Sequence, residues 1–346
     1  MRKLYLFSVI LSVIAILDVH SQSFFSFKKN REPQRKKLYE KHSSLAFGLG
    51  TSHYFGDIAP YTNVVPSLIQ DIRWNAGVAF QRHLSPHWAL RLGFTWVRIA
   101  GDDNHFQGKA GFEQLFMRNA HFRNDLQELS VMGVYNIIKE NRNSYNRPQW
   151  IPYLFGGLAI FHHNPVAMAP SGLNDIQPKE WVSLQPLGTE GQGLPGYAQP
   201  YSLISASIPL GAGVSYKLNK TWDIGFEVSL RYSFTDYLDD IGGAYANPDD
   251  LQNSNLTAFA FGHRELEKYA IRTGNDREPG IRAWFAAVGN PLYADPNFPL
   301  NSIVNPDGFD RNFTRNSTAK INDSYLLTTI KLVYHITPSI KCPKLK

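Results

Sequence analysis

The sequence predicts an all-β protein: an eight-stranded antiparallel transmembrane β-barrel with long extracellular loops. Three observations predict it. Side chains alternate between apolar and small or polar residues over stretches long enough to cross a bilayer, and the connections between those stretches alternate between short and long. The chain is 43% hydrophobic, yet after its N-terminal leader no segment holds 18 consecutive apolar residues. A membrane-resident form must then be a closed barrel, because only closure pairs every backbone polar group within lipid.

At the N-terminus, Arg2 and Lys3 precede an apolar run over residues 4–17, and Val19-His20-Ser21 fits a cleavage site before Gln22. Residues 1–21 are therefore expected to be a signal peptide. Residues 22–43 read as a basic periplasmic arm, with seven Lys or Arg against two Glu in residues 24–43. That arm and the leader account for the whole net charge of +6, leaving the rest of the chain neutral. The basicity is a short tail and not a groove, which argues against nucleic acid as a partner.

The barrel is expected over residues 44–337. In the first strand Leu45, Phe47 and Leu49 oppose Ala46, Gly48 and Gly50; in the second, Trp74, Ala76, Val78 and Phe80 oppose Arg73, Asn75, Gly77 and Gln81. The third sets Trp88, Leu90, Leu92, Phe94 and Trp96 against Ala89, Arg91, Gly93 and Thr95. The fourth, near residues 128–137, is less regular, and the fifth, near 151–162, is apolar on both faces, so periodicity does not assign its inside. The sixth places Ile204, Ala206, Ile208, Leu210, Ala212 and Val214 on one face. The seventh alternates most clearly, with Trp222, Ile224, Phe226, Val228, Leu230, Tyr232 and Phe234 against Asp223, Gly225, Glu227, Ser229, Arg231 and Ser233. It predicts that arginine is tolerated better at Ser229 than at Phe226. The eighth carries Leu326, Thr328, Ile330, Leu332 and Tyr334 outward.

Short links at 84–87, 140–149 and 218–220 alternate with long ones at 56–71, 101–123, 163–200 and 238–322. This order places both termini in the periplasm, with residues 338–346 as a tail. The last loop exceeds plain connecting length and contains Trp284, Phe285 and Tyr293; partial order is expected, with a helix near 265–271 capping the mouth. Trp74, Trp88, Trp96, Trp222 and Tyr334 suit two interfacial girdles.

Eight strands enclose a space just wide enough for side chains. Arg73, Arg91, Arg231 and Lys331, with Asp223, Glu227 and Glu128, are expected to fill it as ion pairs, since buried charges need partners. Other candidates are weaker. His162 and His163 are neighbours on a strand and point to opposite faces, so a shared ion would need a bend; a strand-end turn at Pro165 is expected instead. Asp236, Asp239 and Asp240 lack the spacing of a calcium loop and read as a solvated acidic loop or as partners of an arginine. The glycines of 188–193 lack the Lys-Ser/Thr ending of a phosphate loop and suit positive φ. No spacing singles out a nucleophile, base and orienting group. The expectation is a non-enzyme without metal or cofactor. Cys342 is the single cysteine; it can form only an intermolecular bridge or remain a free thiol.

Four segments together resemble one family: Tyr54-Phe55-Gly56-Asp57-Ile58, Phe161-His162-His163-Asn164-Pro165, the run from Leu184 through Thr189-Glu190-Gly191 to Gly193, and Phe234-Thr235-Asp236-Tyr237-Leu238-Asp239-Asp240. They are similar to the Bacteroidota outer-membrane barrel family of unknown function, which includes or lies close to PorG of the type IX secretion system. The resemblance implies an outer-membrane barrel, and PorG-like proteins are associated with a periplasmic ring of the lipoprotein PorK and its partner PorN. The expected role is a non-enzymatic barrel that anchors or organises an envelope assembly; the alternative is a small pore or a surface-binding barrel acting through its loops. Candidate interaction residues are Asp57, Glu190, Asp236, Asp239, Asp240 and Cys342, and the expected partners are outer-membrane lipid and a PorK-like lipoprotein.

Overall fold

The computed structural model describes residues 39–287, 315–316 and 321–336. Ten strands form in chain order: β1 (His42–Phe55), β2 (Arg73–His83), β3 (Trp88–Asp102), β4 (His121–Asn136), β5 (Trp150–His162), β6 (Pro165–Met168), β7 (Trp181–Ser183), β8 (Ile204–Lys217), β9 (Trp222–Ser233) and β10 (Ser324–Ile336). Eight of them run β1-β2-β3-β4-β5-β8-β9-β10 and close on themselves where β10 pairs with β1. All the pairings are antiparallel. The protein is thus a closed eight-stranded barrel. It has no open sheet edge along its wall, which is how such a sheet avoids edge-to-edge association.

Alternation decides which face each residue takes, and it holds through every barrel strand. Leu49 is 70% exposed, Leu158 66% and Ile330 58%, while their sequence neighbours Gly48, Ala159 and Lys331 turn to the lumen. β5, whose faces the sequence left open, is settled by its partners: Leu154, Leu158 and Ile160 point out, and Tyr153, Phe155 and Phe161 point in. Glycine permits the tight wall at Gly50 and Gly157, where a Cβ would collide with the carbonyl of Thr328 and of Val131 on the adjacent strand. Aromatic residues ring both ends of the outer face. Trp74 and Trp96 lie 6.2 Å apart near the long loops. At the opposite end stand the pairs Trp88–Tyr135, Trp150–Tyr216 and Trp222–Tyr334.

Inside, Glu227 joins Arg91 and Lys331, each at 2.8 Å, and accepts the Tyr153 hydroxyl at 2.7 Å. Arg231 meets Glu128 at 3.4 Å, and Asp223 holds Arg147 at 2.7 Å and His335 at 2.9 Å. Cavities of about 40 Å³ lie among these groups, room for about one water each. Of the residues expected in this interior, Arg73 is misplaced. It has the inward parity but stands at the first position of β2, where it pairs with Asp71 at 3.5 Å and stays partly exposed at the rim.

The long loops fold over one end of the barrel; the other end carries the hairpins 84–87, 137–149 and 218–221. Short helices α1 (Val64–Gln70), α2 (Glu113–Arg118), α3 (Pro248–Ser254), α4 (Leu256–Gly262) and α5 (Glu278–Ala287) lie in the loops. None among the described residues is long and apolar enough to cross a membrane. Asn247 and Asn255 cap α3 and α4 by accepting N–H bonds in their first turns, the role for which asparagine is favoured. Phe106, Leu115, Phe116 and Met117 pack against Leu266, Ile281 and Phe285 to form a small second core.

Three expectations need correction. Residues 265–271 are not helical: the buried Arg277 guanidinium takes the carbonyls of Glu265 and Glu267, and Tyr269 bridges to Asp276. Those carbonyls are the acceptors a helix would have used. Pro165 does not set a turn but opens β6, which extends the loop end of β4 through Asn124; proline fits there because it stands at the first residue of the strand, where no ladder N–H is needed. The barrel also begins earlier than residue 44, since His42 and Ser43 already pair with β2.

Candidate functional site: a polar plug at the loop end of the barrel

The four segments that carry the family resemblance are far apart in sequence, and the fold brings them to one place. Tyr54 ends β1 facing inward, and Asp239 and Asp323 flank the loop that separates β9 from β10. The Tyr54 hydroxyl lies 2.7 Å from Asp239 Oδ2 and 2.6 Å from Asp323 Oδ1, and it accepts the Asp57 N–H at 3.1 Å. One hydroxyl has one proton to give, so one of the two carboxyl groups is protonated and donates to it. Burial, together with neighbouring carboxylates, pushes both Asp239 and Asp323 well above the usual carboxylate range, which supports that assignment. The remaining oxygens are used as well: Asp239 Oδ1 accepts from Ile241 N–H and Asp323 Oδ2 from Leu238 N–H.

A second cluster adjoins the first. Asp240, held at φ +71°, accepts the Thr189 and Tyr201 hydroxyls and lies 3.7 Å from Arg315. Arg315 also reaches Thr189 and sits 3.3 Å from Glu190, whose Oε1 accepts the N–H groups of Gly242 and Gly243. Burial raises Asp240 and Glu190, with Arg315 opposing the rise. Gly188, Gly191 and Gly193 adopt φ of +68°, +79° and +90°, the conformation that lets the 188–193 segment turn back on itself.

The His163 segment ties this plug to the wall. Asn124 of β4 donates to Leu238 O at 2.7 Å and accepts Asn164 N–H at 2.9 Å, while His163 reaches Ser202 O at 3.1 Å. Arg118 at the end of α2 grips Asp103 with two bonds of 2.7 and 2.8 Å and donates to the carbonyls of Asp57 and Arg315. Beneath these polar groups Tyr54, Val97, Ile99, Phe122, Phe161, Leu238, Ile241 and Tyr325 form an apolar layer across the lumen.

The candidate residues thus fall into three sets. Asp57, Glu190, Asp239 and Asp240 converge as buried groups, and the carboxyl groups of Glu190, Asp239 and Asp240 are bonded within this chain and do not form a solvated acidic loop. Bonds from backbone N–H, hydroxyl and guanidinium donors replace the water they would otherwise need. Asp236 stands at the edge of the plug, half-buried, bonded to Asn316 at 3.1 Å and pushed up to about 7 by burial and then by Asp57. Cys342 lies outside the described residues, as do the leader, most of the basic arm and the tail. Sequence reasoning passed over Arg118, Asp323 and Arg315, each an isolated charge without a motif. It also passed over His42, His83 and His335, which gather at the hairpin end and were legible only as inward positions near three strand ends.

Residues 36–174 match the family model of a domain of unknown function, DUF6089, a stretch that takes in β1 to β6. Among curated proteins none matches the chain. Similar solved structures include Ail, the attachment invasion locus protein of Yersinia pestis, at 10% identity and a TM-score of 0.33, covering 86% of this chain and 99% of that one. Neisserial surface protein A is similar at 7% identity and a TM-score of 0.34, covering 84% of this chain and 96% of its own. OprG of Pseudomonas aeruginosa is similar at 8% identity and a TM-score of 0.33, covering 87% and 99%.

Proposed function

We propose that the protein is a non-enzymatic outer-membrane β-barrel that anchors or organises an envelope assembly, and that the assembly is the type IX secretion machinery to which its four motifs are similar in PorG-like proteins. The observation that carries the anchoring role is the filled lumen. Among the described residues, ion pairs cross the barrel at mid-height and the polar plug with its apolar underlayer lies across the loop end, the side-chain filling expected of an eight-stranded barrel that is not a pore. The exposed apolar belt between two aromatic girdles fits outer-membrane lipid. The loop-length alternation supports termini in the periplasm, where a PorK-like ring lipoprotein and its PorN-like partner would be met.

The test is co-purification of the full-length protein from its own membranes after mild solubilisation. Recovery of ring lipoproteins is the expected result. Single-channel conductance in planar bilayers, or capture of a soluble ligand by the external loops without any ring component, would replace this reading with that of a pore or a surface-binding barrel. Non-reducing electrophoresis of the same membranes, wild type against Cys342→Ala, reports whether the bond to a partner is covalent.

A further inference from the structure

At the hairpin end of the barrel, strand register brings three histidines together. His42 on β1 is directly opposite His83 on β2, and on its other side β1 meets β10 with Ser44 opposite His335. All three side chains are buried, and one ring nitrogen of each lies within 4.8 Å of the others. His42 and His83 stack with centroids 4.1 Å apart, and His335 is 5.4 and 5.6 Å from them.

Two of the cluster's ring nitrogens have no hydrogen-bond partner. His83 Nδ1 is 2.9 Å from Glu140 Oε1, and His335 Nε2 is 2.9 Å from Asp223 Oδ2. An ionised carboxylate only accepts, so those two nitrogens carry the protons, and a neutral ring then keeps its lone pair on the other. His42 Nε2 and His335 Nδ1 have no hydrogen-bond partner, whereas His83 Nε2 meets the Ser44 hydroxyl at 3.0 Å, a contact that zinc would replace. The carboxylates are themselves fixed, Glu140 by Tyr39 and Asn136 and Asp223 by Arg147. A cavity of about 40 Å³, lined by His83, His335, Glu140 and Asp223, adjoins the rings.

We propose that His42, His83 and His335 form a zinc-binding site with Glu140 and Asp223 as the carboxylates that orient His83 and His335. Carboxylate-braced imidazoles are the pattern by which proteins set the tautomer of metal-binding histidines. Three imidazole nitrogens with one position left to water suit Zn²⁺, the common ion for such a donor set. Bonds of 2.0–2.1 Å in a tetrahedron put the nitrogens about 3.3 Å apart, so binding draws the three rings inward by side-chain rotation. The bound ion links β2, β1 and β10, the last of which closes the barrel.

The probe is Zn²⁺ alone, titrated calorimetrically into full-length protein without a histidine tag, in detergent and after chelator treatment. One equivalent per chain is expected. Binding weakens at least tenfold in His83→Ala and His335→Ala and by about 10- to 100-fold in Glu140→Gln, with folding of each variant checked by heat-modifiable electrophoretic mobility. Because the histidine variants can fail to fold, X-ray absorption at the zinc edge of loaded wild type gives an independent reading, with imidazole scattering at 2.0–2.1 Å expected. Absence of saturable binding, unchanged binding in folded variants, or a shell made only of oxygen would overturn the site.

Discussion

Glu227 offers the sharpest test of how the lumen is held. Its carboxylate is the shared counter-charge of Arg91 and Lys331 and accepts the Tyr153 hydroxyl, and all four side chains are buried. Glu227→Ala leaves two cations and a hydroxyl facing one another without an acceptor. Removing one partner of a buried pair costs about 3–5 kcal/mol, and two orphaned cations put this variant at the upper end. The cost comes from stranded charge and not from the ion pairs' net contribution, since replacing a whole buried charge cluster by apolar groups is often neutral. The combined variant Arg91→Met, Glu227→Leu, Lys331→Met should therefore recover most of the loss. The assay is urea unfolding of protein refolded into lipid vesicles, followed by tryptophan emission and heat-modifiable mobility. If Glu227→Ala unfolds within about 0.5 kcal/mol of wild type, or the triple variant is as weak as the single one, the stranded-charge account is wrong.

Four further outcomes are expected. Phe226→Arg, on the outer face near mid-strand, should lower stability by roughly 2–4 kcal/mol and reduce assembled protein on blots of outer-membrane fractions, with Phe226→Leu as a near-neutral control. A protease added to whole cells should cut a site inserted near Asn275 and spare one placed after Lys346; cleavage at the C-terminus would reverse the topology. Tyr54→Phe removes the hydroxyl shared by Asp57, Asp239 and Asp323, each buried group left unpaired costing about 1–3 kcal/mol, and amide exchange over residues 236–243 should speed up. For Asp236, whose folded-state value is raised from 3.8 to about 7, the folded state binds the proton more tightly. Its contribution is complete below about pH 4 and fades as pH climbs toward 7. Exchange in the plug should therefore quicken across that range in wild type, and Asp236→Asn should flatten this part of the dependence.

The wall of the barrel was legible because period two is imposed by the strand itself: once Leu45, Phe47 and Leu49 face one way, Gly48 must face the other. β5 was not, because Ile151, Tyr153, Phe155 and Phe161 are buried inside while Leu154, Leu158 and Ile160 face out, and the two kinds of apolar side chain look alike in sequence. Parity also tells direction without telling crowding. Ser229 does face the lumen, and its hydroxyl already meets the Arg231 guanidinium, so parity alone does not report the room an arginine at Ser229 would find. Arg73 shows the same limit at a strand end, where inward parity leads to the rim. The plug was visible only as four motifs; that they interlock through Tyr54, Asn124 and Arg315 depends on contacts between residues far apart in the chain, which no local period encodes.

Closure by β10 against β1 has a consequence for the order in which the chain can assemble. The two strands are the farthest apart in sequence, so their pairing has the largest loop to close and comes late. Until residues 324–336 arrive, β1 and β9 both present bare edges, ready to pair with other chains. The plug adds to this dependence, because Asp323 enters it immediately before β10 begins. A chain truncated ahead of that point loses its seam and its stopper together, and what remains is an open sheet with two bare edges.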